Sequence, residues 1–111
     1  MNVEGNPIEQ WEKLVEILLD ERASDAEQDD AAMDLSEYSH KNVVKALLTI
    51  SNHDSTDDMI KASCGESLAM ILVNNDRFDN EIYNQLRGIA KIEFESYIRL
   101  KKNDWKTYLN T

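Results

Sequence analysis

Residues 42–74 read NVVKALLTISNHDSTDDMIKASCGESLAMILVN, and this stretch decides the fold. Val43, Val44, Leu47, Leu48 and Ile50 recur at the three- and four-residue spacing of one helical face. Asn52-His53-Asp54-Ser55 breaks that pattern. Ser55 or Thr56 restarts it, with Asp57 and Asp58 placed where carboxylates meet the positive end of a helix dipole. Ile60, Cys64, Leu68, Ile71 and Leu72 form the buried face of the second helix. Asn74-Asn75 ends it, since Asn tolerates the left-handed conformation. Two helices joined by so short a turn are expected to pack antiparallel.

This pair resembles a HEAT-type α-solenoid unit. Val44, Leu47, Leu48 and Ile50 match the first helix of such a unit, and Asp57 and Asp58 its inter-helix turn. Ile60-Lys61 stands where those repeats favour Val-Arg, and Cys64, Gly65, Ser67, Leu68 and Ala69 occupy the run of small residues. Small side chains there let neighbouring helices approach closely. The resemblance implies diverged units at residues 7–38 and 78–100, although no fixed period is visible.

Outward from this centre the pattern stays helical. With three glycines and one proline, and no hairpin dipeptide between alternating apolar residues, the chain reads as all-α. Asn6, Pro7 and Glu9 form a helix start, and Ile8, Trp11, Val15, Leu18 and Leu19 share a face over residues 7–22. Ser24 and Glu27 form a second capping box before a weak stripe of Ala31, Ala32, Leu35 and Tyr38, with part of 20–31 read as loop. Ser39 is the expected cap of the next helix. Asp79 begins a helix carrying Ile82, Tyr83 and Leu86, and Gly88 marks a kink or break. Ile89, Ile92, Tyr97 and Leu100 then mark a further apolar face, and Trp105, Tyr108 and Leu109 a short terminal helix. The expected fold is one domain over residues 1–111, built of short antiparallel helix pairs as a HEAT-like solenoid or an irregular bundle.

The charge excludes several functions. Twenty-two acids against 12 Lys or Arg give a net charge of -10. That disfavours direct nucleic-acid binding, which needs clustered cations, and attachment to an anionic membrane. Glu12, Lys13 and Glu16 interrupt the first apolar run, so it cannot span a bilayer. No basic start or small-residue cleavage site opens the chain, and its one cysteine leaves no intrachain disulfide. The expectation is a soluble, cytoplasmic protein.

The distribution is sharper than the total. Residues 16–37 hold Glu16, Asp20, Glu21, Asp25, Glu27, Asp29, Asp30, Asp34 and Glu37 against Arg22 alone. Residues 59–111 carry seven acids and eight bases. Like charges at helical spacing repel by about 0.2–0.5 kcal/mol per pair. A chain selected only for solubility would intersperse the signs. Asp20, Glu21, Asp25, Glu27, Asp29, Asp30, Asp34, Glu37 and Tyr38 are therefore the candidate partner-binding residues. The basic cluster Arg99, Lys101, Lys102 and Lys106, with Asp104 among them, reads as a solvated helix end.

Catalytic patterns fail on inspection. Gly65-Glu66-Ser67-Leu68-Ala69 imitates a nucleophile elbow but lies within a helix, and no histidine follows it. Cys64 sits on an apolar face, as a small core residue would. His40 and His53 lack zinc-ligand spacing. Asp25-x-Glu27-x-Asp29 begins like a calcium loop, but Asp30 replaces the required glycine and Ser36 the terminal glutamate. The expectation is no catalytic residue, no metal and no cofactor.

A small acidic helical chain whose residues 58–75 contain the SLAMIL run of Ser67–Leu72 is similar to immunity proteins of bacterial contact-dependent growth inhibition and related polymorphic toxin systems. That resemblance implies a non-catalytic antitoxin. Its expected partner is a cognate toxin domain, a basic RNase or DNase, bound by a monomer in a 1:1 heterocomplex that covers the active site or substrate cleft. The other reading is a HEAT-like adaptor or scaffold module.

Overall fold

The computed structural model describes residues 9–110. Over these the chain is all-α: α1 (Gln10–Leu19), α2 (Asp25–Asp34), α3 (Lys41–Ser51), α4 (Asp58–Asn74), α5 (Asn80–Gln85) and α6 (Gly88–Lys101). Two 3-10 turns, Leu35–Glu37 and Asn103–Tyr108, follow α2 and α6. The Asn6-Pro7 helix start and Ile8 lie outside the described residues.

The contacts show how the helices stack. Gln28, early in α2, donates its amide to Leu18 and Asp20 carbonyls at the end of α1, and the turn after α2 also touches α1. The two are therefore antiparallel. Asp29 meets Ser63 and Ala32 meets Ser67, so α2 and α4 run parallel. Gly65 lies against Ala90, and Asp76 just past α4 pairs with Lys102 just past α6, so these two are parallel as well. Trp11 stacks on His40 at one end of α1 and α3, while Leu19 and Ile50 line one hollow at the other. The result is a stack of helix pairs in which α2, α4 and α6 form one layer and α1 and α3 start the other. The steps are unequal: 34 or 35 residues from α2 to α4, but a shorter one from Gly65 to Ala90. No fixed period was visible for that reason.

Helix α4 is the centre. Ile60, Cys64, Leu68, Ile71 and Leu72 are buried as expected, with Ser67 and Ala69 beside them. The small-residue run works through Gly65: a Cβ there would stand 2.1 Å from the Ala90 carbonyl oxygen. That approach sets the roll of α6. It buries Ala90, Phe94 and Ile98 and leaves Ile92 55% and Leu100 77% exposed. The expected apolar face of Ile92 and Leu100 is thus corrected, because Gly65 selects a different stripe of α6. In α1 the expected face shifts too, with Leu14 buried and Leu19 exposed.

Local chemistry moves several expected boundaries. Helix α1 stops at Leu19 rather than about residue 22, because Asp20 turns back to accept from the Arg22 N–H at 2.9 Å. At its other end Glu9 and Glu12 form a capping box. The Ser24–Glu27 box forms as expected; the loop expected within 20–31 is residues 20–24, and helix runs from Asp25 to Asp34. His40, not Ser39, caps α3, its Nδ1 accepting from Asn42 at 3.0 Å. Asp57, rather than Ser55 or Thr56, caps α4 through Met59. The left-handed residue after α4 is Asp76 (φ 52), not Asn74 or Asn75. There the N–H groups of Asp76 and Arg77 donate to the Val73 and Leu72 carbonyls. Gly88, at φ 61, makes a true break between α5 and α6.

The C-terminal turn folds back as expected and buries Trp105 and Leu109. Phe78 gathers Tyr83, Phe94, Trp105 and Tyr108 within 4.8 to 6.2 Å between ring centroids. Tyr83 donates to the buried Glu95 carboxylate and accepts from the Asn110 N–H at 2.9 Å.

Candidate protein-docking surface

Helix α2 has little apolar capital: it buries Ala31 and Ala32, and the following turn adds Leu35 and Ser36. One buried leucine contributes about 1.5–3 kcal/mol. Polar bonds supply the rest of its attachment, through Ser67 Oγ to the Ala32 carbonyl at 2.7 Å and Ser63 Oγ to Asp29 at 2.6 Å.

The candidate carboxylates divide by what they touch. Asp20 accepts from the Arg22 backbone and its guanidinium, and these hydrogen bonds hold its pKa below the usual value. Glu27 accepts from the Ser24 N–H and hydroxyl at 3.0 Å each, which lowers its pKa in the same way. Asp29 is half-buried against Ser63. These three are engaged in hydrogen bonds within the chain, although Glu27 is itself at an exposed position. Glu21, Asp25, Asp30, Asp34 and Glu37 are exposed. Tyr38 is half-buried and packs against the core rather than standing free. The exposed set therefore lies along α2 and its two flanking turns.

Residues earlier singled out for chemistry are structurally occupied. Ser67 is buried and donates to Ala32. Cys64 is fully buried, and burial pushes its thiol up to about 12, so it keeps its proton at neutral pH. His40 is a cap, and His53 Nδ1 lies 3.1 and 3.2 Å from the Thr56 and Ser55 hydroxyls. The Asp25–Asp29 run is helical, which is incompatible with a calcium loop. Among the described residues no cluster of three metal-ligating side chains occurs, and no helix is long and apolar enough to cross a membrane. Of the basic cluster, Lys102 pairs with Asp76 at 3.1 Å and lies over the Trp105 ring.

Concave surface occurs on the other layer too, as well as between α4 and α6. A groove of about 670 Å³ between α3 and α5 carries Lys41 and Lys45 as well as Asp79 and Glu81. A trough between α1 and α3 is lined by Trp11, Val15 and Leu19 with Glu12 and Glu16. Sequence reasoning passed over Glu12 and the trough, although Trp11, Val15 and Leu19 at four-residue steps, each followed closely by an acid, are its signature. The chain matches no known family model, no curated protein and no solved structure.

Proposed function

We propose that this chain is a non-catalytic immunity protein of the polymorphic-toxin kind. It acts in the cytoplasm as a monomer, binding a cognate basic nuclease domain 1:1 and occluding its active site or substrate cleft. The observation that carries this reading is the set of exposed acids Glu21, Asp25, Asp30, Asp34 and Glu37, along α2 and its flanking turns, where Arg22, the one Lys or Arg of residues 16–37, is already paired with Asp20. Such a field competes with nucleic-acid phosphates for a cationic cleft and accelerates encounter. Co-expression with the product of the neighbouring gene tests it: copurification and rescue of growth are expected. A neighbouring product that is harmless and does not copurify removes the reading. In the complex, reversing Asp25, Asp30 and Asp34 to Lys lowers the association rate and flattens its salt dependence.

The stacked helix pairs favour the adaptor reading as the alternative. It requires a non-toxic partner, and the same co-expression separates the two.

A further inference from the structure

The trough between α1 and α3 has an apolar floor of Trp11, Val15, Leu19 and Ala46 and a volume of about 420 Å³. Leu19 and Thr49 also line a second hollow, of about 380 Å³, which lies between the α1–α2 and α3–α4 turns. The two hollows adjoin at Leu19 and Thr49, so the depression runs along the helices and on to their end. Leu19, at the junction, is 46% exposed. Trp11 is half-buried, its ring held 4.1 Å from that of His40. A fixed aromatic beside an exposed leucine in a concave seam is what an apolar anchor from another protein fills.

The charge around the depression selects its occupant. Glu12 and Glu16 line the first part, and Glu21, Asp25 and Asp57 the second. Among the described residues Lys45 is the one lysine or arginine lining either part. A neutral or acidic segment would face these carboxylates uncompensated, whereas a cationic one is matched to them. The α3–α5 groove, where Lys41 and Lys45 balance Asp79 and Glu81, makes no such selection.

We propose that this depression receives a segment of a partner protein that carries Lys or Arg side chains around one or two apolar anchors. The assignment rests on the reading of the chain as a binder of a cationic protein, and it names the surface that does the binding. The outward carboxylates of α2 then serve the approach, and the trough serves the docked state.

The full chain titrated with a synthetic Lys/Leu amphipathic helical peptide, followed by amide NMR, tests the surface. The expected shifts fall on Trp11, Val15, Leu19, Thr49 and Thr56, with α6 unmoved. Leu19→Lys, at an exposed position the fold tolerates, weakens binding at least about ten-fold, a loss of about 1.4 kcal/mol, whereas Ile92→Lys on α6 leaves it unchanged. Oligolysine of equal charge binds more weakly and shifts chiefly Asp30 and Asp34. Equal binding of the two peptides, or indifference to Leu19→Lys, overturns the trough. The function is scored separately: rescue by Leu19→Lys equal to that of the natural chain removes the trough and keeps the antitoxin. Trough-centred peptide binding without any rescue keeps the surface and removes the antitoxin.

Discussion

Helix α4 is held by α2 through hydroxyl groups and by α6 through backbone approach and aromatic packing. On the α2 side, Ser63 and Ser67 reach across to Asp29 and to the Ala32 carbonyl. On the α6 side, Gly65 lets Ala90 in, and Phe94 leads into the cluster around Phe78. The difference follows composition. An acid-rich helix with two small buried residues has little to bury, so directed bonds fix it. A near-neutral helix can be fixed chiefly by packing, with the Asp76–Lys102 pair only at its end. The charged surface is therefore attached to the scaffold by the weaker kind of contact.

The largest effect that can sharpen this contrast is Phe94→Ala. It removes a fully buried ring and should cost about 3–5 kcal/mol in urea unfolding. A smaller loss than that of Leu35→Ala, beside α2, would break the contrast. Gly65→Ala comes next, because the new methyl meets backbone rather than a movable side chain; overpacking of this kind costs about 1–3 kcal/mol. A thermal melt unchanged by it would mean that α6 is free to retreat.

Ser67→Ala should cost about 1 kcal/mol. Its readout is local: amides of α2 exchange faster with deuterium while those of α6 keep their protection. Uniform acceleration across both helices would show that the two attachments are not separate.

The smallest effect concerns acid. Asp20 and Glu27 have folded-state pKa values below their ordinary 3.8 and 4.5. The stability they contribute is therefore present above those unfolded values and lost as pH falls through the lower folded ones. In an NMR titration from neutral pH, the α1–α2 turn and the start of α2 should change first below about pH 4.5, ahead of α6. Simultaneous loss would place the acid sensitivity elsewhere.

How much of this was legible depended on the kind of signal. The all-α class, the α4 face and the Ser24–Glu27 box were readable because period and capping chemistry are local. The cap at His40 was not, because an imidazole is an uncommon cap and Ser39 stood next to it. The face of α6 was misread because Gly65, on a different helix, determines it. The acidic segment was visible as composition. Which of its acids are engaged could not be read from spacing, since the partner of Asp29 is 34 residues away. The trough escaped notice because its walls come from two helices whose parallel alignment is a tertiary fact.

The unequal steps between helix pairs have a consequence for copy number. A true tandem array can gain or lose a unit, because every unit presents the same edges to its neighbours. Here α4 offers serines to one side and a glycine to the other, and α5 has six residues where α3 has eleven. A duplicated pair would therefore meet a neighbour cut for something else. The helix pairs stack, but their edges are not interchangeable, and a pair added to this bundle would need new edges on both of its neighbours.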